Sequence, residues 1–285
     1  MKIVTDSSVM FSIEEGARRG LTVLPLTVSI EGETYLEYED ISSEDFLARV
    51  RAGALPQSSS PPPGLTLEAY DTDEEIVHIS MAHGLSGAYE VACGLVKQAR
   101  HPERVHVVNS QTLCIPQRAL AFAATAAVAQ GRSAAEVVGL LKRMRESACS
   151  YLIPEDFDYL RRGGRLTPLA AKFAHMIKAF PLLVQTEDGT RLEKRKIARS
   201  FIKAVETIAS DFASYESGEG RYISVSHAGN LAQASIAANF LSGRFPAAQV
   251  GVFELGPAFI TQGGPGCIAV QSIDLRFCPG IVMGQ

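Results

Sequence analysis

Four short segments of this chain gather hydroxyl and small residues where a strand could hand over to a helix: Asp6-Ser7-Ser8, Ser58-Ser59-Ser60, His83-Gly84-Leu85-Ser86-Gly87 and Asn109-Ser110. In open parallel sheets, ligands bind where loops leave the carboxyl ends of the strands. Together the four predict a mouth lined with neutral hydrogen-bond donors. Singly, each is an ordinary turn or helix cap, and capping is the simpler role for Asp6 and Ser110. Gly84-Leu85-Ser86-Gly87 invites comparison with the nucleophile elbow G-x-S-x-G, but Gly87 follows Ser86 directly, one residue too soon. A nucleophilic Ser86 would also need a base, for which His83 and His227 are the candidates, and a third group to orient that base. Ser86 therefore reads better as a ligand donor than as a nucleophile.

Two glycine-rich turns could add to such a mouth. Arg161-Arg162-Gly163-Gly164-Arg165 is either a solvated basic turn or a glycine turn that brings backbone close to an anion, with Arg165 supplying a planar fork for carboxylate or phosphate. Gly263-Gly264-Pro265-Gly266 is either a tight turn between strands or a close-approach loop. Neither matches a P-loop or G-x-G-x-x-G, so no nucleotide site is indicated.

The elements that must position these segments fall into two unlike halves. The first alternates short β-branched runs (Lys2 to Val4, Leu21 to Ile30 around Pro25, Glu75 to Ser80, Val105 to Val108) with helical patterns, which predicts parallel βαβ units. Ser12-Ile13-Glu14-Glu15 and Ser133-Ala134-Ala135-Glu136 are capping boxes that open two of the helices. Pro56 and Pro61 to Pro63 keep the Leu55 to Gly64 stretch from being helix or central strand, leaving a rigid hydroxyl-rich loop inside the first half. Ser150 to Ile153 reads as the last strand of this layer, and Pro154 then breaks the pattern. Beyond it, Leu182 to Gln185 and Arg191 to Lys196 flank Asp188-Gly189, a strong hairpin signal. Crossover helices then separate strands at Tyr222 to Ser226, Gln249 to Glu254 and Cys267 to Gln271. The expectation is an α/β chain of two domains: a parallel-sheet α/β domain over 1–154 and an α+β domain with a largely antiparallel sheet over 155–285.

Composition narrows the function classes. The 285 residues are 46% apolar and carry a net charge of 27 − 31 = −4, so no overall basic field recruits nucleic acid or an anionic membrane. The longest near-apolar stretch, Ala119 to Ala129, falls short of the ~20 residues that span a bilayer. Asp6 stands where a signal peptide would need its apolar run, so the expected location is the cytoplasm. Five widely spaced cysteines without C-x-x-C suit reduced thiols, and the six histidines show no metal-ligand spacing.

Taken in order, these segments resemble the DegV family of fatty-acid-binding proteins, which act in many bacteria as the acyl-carrying subunit of a fatty acid kinase. Thr5-Asp6-Ser7-Ser8 is similar to the family's T-D-S-S strand end, and Ser58-Ser59-Ser60-Pro61-Pro62 to its T-S-Q-P-S loop. Leu85-Ser86-Gly87-Ala88-Tyr89 resembles L-S-G-T-Y, Tyr159 to Arg165 resembles Y-L-x-x-G-G-R, and Gly264-Pro265-Gly266 resembles the late G-P-G. The resemblance implies a long-chain fatty acid as the bound ligand, with no other cofactor and no metal. Ser58 and Ser86 would hold its carboxylate, and Ser59, His83, Gly87, Arg165 and Gln262 would lie near the head group. The tail would be buried between the two domains, where ~0.8 kcal/mol per CH₂ gives a long chain on the order of 10 kcal/mol gross. The implied partner is the catalytic subunit of a fatty acid kinase, with Arg165 placed to meet the phosphate of an acyl phosphate. No nucleic acid partner and no stable membrane insertion are expected. The sequence departs from the family at Gln262, where a histidine is usual, at Ala82-His83, where two serines are usual, and at Ile115-Pro116-Gln117, where glycines are usual. A serine esterase or thioesterase using Ser86 is the alternative.

Overall fold

The computed structural model describes residues 1–172, 179–281 and 283. Its strands are β1 (Lys2–Asp6), β2 (Leu21–Leu24), β3 (Thr27–Ile30), β4 (Glu33–Leu36), β5 (Gln57–Ser59), β6 (Ile76–Ser80) and β7 (Val105–Asn109) in the first half. The second half holds β8 (Cys149–Ile153), β9 (Phe180–Gln185), β10 (Leu192–Ala198), β11 (Arg221–His227), β12 (Gln249–Glu254) and β13 (Ile268–Asp274). They form a parallel sheet in the order β2-β1-β6-β7, a small antiparallel sheet β4-β3-β5, and a six-stranded sheet β10-β9-β8-β13-β11-β12. Every pairing in the six-stranded sheet is antiparallel except β11 with β12.

The layering follows from which residues can be buried on both sides. Every residue of β6 is buried, as expected for a parallel strand covered on both faces. Helices Pro63–Tyr70 and Ala88–Leu95 cover one face of this sheet through Ala69, Tyr70 and Leu95. Helices Cys114–Ala129 and Ala134–Arg145 cover the other face and also pack on β13 of the six-stranded sheet. Cys114–Ala129 is thus enclosed nearly all round, with Ala119, Ala121, Ala123, Ala124 and Ala127 buried. A helix apolar on all sides belongs in a core, and alanine lets two sheets approach it closely. Phe201–Asp211 and Leu231–Arg244 close the far face of the six-stranded sheet over a separate apolar cluster around Phe212, Phe245 and Val270. No helix among the described residues is long and apolar enough to cross a membrane.

Local sequence chemistry accounts for the breaks. Pro25 separates β2 from β3, and the chain leaves the parallel sheet there for the small antiparallel one. Both capping boxes form, Ser12 with Glu15 and Ser133 with Glu136. The Asp188-Gly189 hairpin joins β9 to β10, with Gly189 at φ +75°. Two expectations need correction. The strand read as the end of the first layer, β8, lies in the middle of the six-stranded sheet, between β9 and β13. Sequence order suggested its neighbours, whereas its cross-strand partners on β13 and β9 decide its sheet. The serine-rich stretch expected as a loop also holds a short edge strand, β5, paired antiparallel to β3. An edge position tolerates the neighbouring prolines, and Pro62 and Pro63 then lead into the next helix.

Candidate functional site

A cavity of about 360 Å³ lies between the carboxyl ends of the parallel strands and the face of the six-stranded sheet. Most of its wall is apolar, formed by Leu26, Met81, Leu85, Leu113, Leu152, Leu160, Leu192, Leu255 and Phe259. Polar groups come from both halves: Ser58, Ser59, Ser60, Ser86 and Gly87 from the first, Arg165 and Gln262 from the second. The structure therefore gathers all the sequence-designated head-group residues except His83, which does not line the cavity. His83 lies against the carboxylate of Glu90 and packs edge-on against Tyr89, their ring centroids 6.0 Å apart. Among the described residues no histidine lines this cavity, so Ser86 has no histidine base beside it there.

The two serines are presented alike. Ser58 Oγ, on β5, accepts a hydrogen bond from Gln262 Nε2 at 2.9 Å. Ser86 Oγ accepts from the Ala88 amide at 3.2 Å, at the start of helix Ala88–Leu95. A hydroxyl that accepts from the protein retains its own proton for a ligand oxygen. Gln262 sits on helix Pro257–Gly263, and its Oε1 is buried without a partner. A side chain at Gly163 would put its Cβ 2.7 Å from that oxygen, so the first glycine of the basic turn makes room for Gln262. Gly84 (φ +86°) likewise admits the β9–β10 hairpin, since a Cβ there would lie 2.7 Å from that of Thr190. Gly84 is thus a place where the two halves touch, and Gly163 a close approach within the second half.

Arg165 is half-buried and already engaged. Its Nε donates to Leu85 O at 3.0 Å and its Nη1 to Gly163 O. Burial, with Arg191 nearby, lowers its pKa from the usual guanidinium value. Arg191 Nη1 donates to Gly164 O at 3.1 Å, so two guanidiniums brace the turn.

The Thr5-Asp6-Ser7-Ser8 motif does not line the cavity but holds the loops that do. Asp6 accepts from the Met81 amide (2.9 Å), Ser80 Oγ (3.2 Å), the Ser8 amide (3.2 Å), Gln117 Nε2 (3.0 Å) and Ser8 Oγ. Burial raises its pKa above the usual carboxylate value, against these hydrogen bonds. Gln117, a departure from the family pattern, is one of the partners of Asp6 and fastens the central helix to β1. Asn109 Oδ1 accepts from the His83 and Gln111 amides, joining the loops after β6 and β7.

Sequence reading missed Glu37 and Gln271. Buried Glu37 accepts from Ser7 Oγ and from the Ala258 amide (2.8 Å), tying the first half to the helix that carries Gln262. Burial pushes its pKa up to about 7, with the Ser7 and Ala258 hydrogen bonds opposing. Gln271 lines the cavity from β13, where Nε2 donates to Ser150 Oγ (2.8 Å) and Leu113 O (3.1 Å) while Oε1 has no partner. A glutamine inside the apolar run Ile268-Ala269-Val270-Gln271 was the available signal.

Comparison with known proteins gives a consistent picture. The family model described as uncharacterised protein, DegV family, matches residues 1–274. The DegV domain-containing protein YejH of Lactococcus lactis is 30% identical, over 95% of this chain and 98% of its own. A DegV domain-containing protein of Streptomyces coelicolor is also 30% identical, over 94% and 96%. Among solved structures, a fatty-acid-binding DegV family protein from Thermus thermophilus superposes with a TM-score of 0.85 at 25% identity, covering 96% of this chain and 99% of its own. DegV of Bacillus subtilis, a fatty acid binding protein, superposes at 0.84 with 23% identity, over 96% and 98%.

Proposed function

The chain belongs to the DegV family, and from that premise we propose that it binds a long-chain fatty acid in the cavity between its two halves, with Ser58 and Ser86 on the carboxylate. The observation that carries this reading is the pair of serine hydroxyls in one cavity wall. Each accepts from a protein N–H, so each retains a proton for the ligand, and the rest of the wall is largely apolar. Two neutral donors hold a carboxylate without a buried counter-ion, and Arg165 adds positive potential while its own geometry is fixed by carbonyls. Ser59 and Gly87 complete the head-group end, and Gln262 orients Ser58. His83, turned toward Glu90, serves the loop and not the ligand.

In this reading the protein is a carrier, not an enzyme. It works in the cytoplasm and presents the carboxyl group to the catalytic subunit of a fatty acid kinase, near Arg165. Gln262 stands where the family usually has histidine, so this protein has no titratable donor at that position. Solvent extraction of the purified protein followed by mass spectrometry should release a fatty acid. The double variant S58A/S86A should keep the fold and bind at least tenfold more weakly, as expected for losing hydrogen bonds to a charged group. An empty extract with no uptake of added palmitate or oleate overturns the binding reading, and unchanged affinity of the double variant removes the serines from it. Phosphorylation of the bound acid should occur only when a kinase subunit is supplied with ATP; none under those conditions overturns the presenting role.

A further inference from the structure

Beyond the head group the cavity wall is not uniformly apolar. In the register of the six-stranded sheet, Ser150 of β8 stands opposite Gln271 of β13, which stands opposite Ser224 of β11, and paired residues share a face. The three form a polar row across the centre of the sheet. All are buried, Gln271 and Ser150 line the cavity, and Gln271 Oε1 and Ser224 Oγ have no hydrogen-bond partner. Gln271 Nε2 is spent on Ser150 Oγ and Leu113 O, which fixes the amide so that its oxygen is the orphan. Ser150 accepts from that amide, and no acceptor for its own proton is found among the described residues. The pair thus offers one free acceptor and one free donor side by side, the complement of an alcohol.

Its place in the fold says which part of a ligand it would meet. Cys267, against Gly263 beside Gln262, marks the head-group end of β13, and Gln271 lies four residues further along the same strand, about 13 Å at strand rise. A carboxylate at Ser58 and Ser86 would put the interior of the acyl chain, not its head, beside this pair.

Resting on the fatty-acid reading, we propose that the cavity selects acyl chains that carry an oxygen substituent, a hydroxyl above all, along the chain. Such a hydroxyl donates to Gln271 Oε1 and accepts from Ser150, whereas a plain methylene chain leaves both groups buried and unpaired. The preference comes from this mismatch, since a site built to hydrogen-bond an OH discriminates against the analogue that lacks it.

The test is competitive binding of stearate and a set of mid-chain monohydroxystearates to the delipidated protein, using a fluorescent fatty acid as the displaced probe. At least one positional isomer should bind about tenfold more tightly than stearate, the yield of one well-made buried hydrogen bond pair. In Gln271→Met, which keeps side-chain volume and removes the acceptor, that preference should fall to near unity while stearate affinity holds or improves. Ser150→Ala, which leaves the Leu113 contact of Gln271 in place, should reduce it independently. Equal binding of stearate and every isomer, or a preference that survives both substitutions, overturns the inference and leaves the fatty-acid reading intact. Failure of all the acids to bind overturns both.

Discussion

In the parallel sheet, Asp6 is buried with donors from Met81, Ser80, Ser8 and Gln117 around its carboxylate; in the six-stranded sheet, Gln271, Ser224 and Ser226 are as deeply buried yet leave oxygens without partners. The first cluster sits behind the loops that form the mouth, and in the second Gln271 lines the cavity wall with Ser224 and Ser226 behind it on β11. A buried polar group costs free energy unless it is hydrogen-bonded. The satisfied cluster therefore positions backbone, and the unsatisfied one carries a penalty that, at Gln271, the proposed ligand would relieve. The fold keeps the two functions apart by giving them different sheets.

The largest effect that would break this contrast is at Asp6. Asp6→Ala strands the Met81 amide and the Ser80 hydroxyl at a fully buried position, while Gln117 keeps its bonds to Thr5 Oγ1 and Ile79 O. Urea denaturation should show a loss of about 3 kcal/mol or more. A loss below about 1 kcal/mol would mean that the Asp6 cluster does not hold the loops.

Two titratable groups sharpen the contrast next. Glu37 is fully bonded, but burial raises its folded pKa to about 7 from 4.5. A raised folded pKa means the folded state binds the extra proton, so this contribution is present below pH 4.5 and is lost as pH rises through about 7. His78 runs against this pattern within the parallel sheet: Nδ1 meets Tyr70 Oη at 2.6 Å while Nε2 has no partner, and burial pushes its pKa down to about 4. Its contribution is present above pH 6.5 and is lost as pH falls through about 4. Glu37→Gln should therefore gain on the wild type by about 2 kcal/mol between pH 5 and pH 8, and His78→Gln should flatten the acid limb. Parallel stability curves for wild type and Glu37→Gln across that range would show that Glu37 ionises freely.

How much of this was legible in the sequence follows the range of the interactions. The capping boxes, the Asp188-Gly189 hairpin and the alternation of strands and helices are set by residues a few positions apart, and the structure has them. Ser58 and Ser86 were legible as hydroxyls in motif order, and they do share a cavity. The sheet that would take β8 was not legible, because an apolar strand fits either sheet and only its cross-strand partners decide. Gln271 meets Ser150 across 121 positions, and Glu37 meets the Ala258 amide across 221. At such separations no local pattern reports a contact. His83 was placed at the head group by its neighbours in the chain, whereas Glu90, one helical turn into the next element, draws its ring away.

The smallest expected effect is the most discriminating. Ser224 and Ser226 are buried on β11 with hydroxyls that meet no partner. If those hydroxyls are structurally idle, Ser224→Ala and Ser226→Ala remove a desolvated polar atom and leave a void no larger than one oxygen. The penalty and the void nearly cancel, so stability of the delipidated protein should change by no more than about 0.5 kcal/mol, with stabilisation the expected sign. A loss above about 1.5 kcal/mol would mean that each hydroxyl has a partner in solution, an ordered water being the natural one, and the two sheets would then be satisfied alike. Near-neutral serines beside a costly Asp6→Ala would leave Gln271 Oε1, at the cavity wall, as the unfilled demand that an oxygen-bearing ligand can meet and a plain acyl chain cannot.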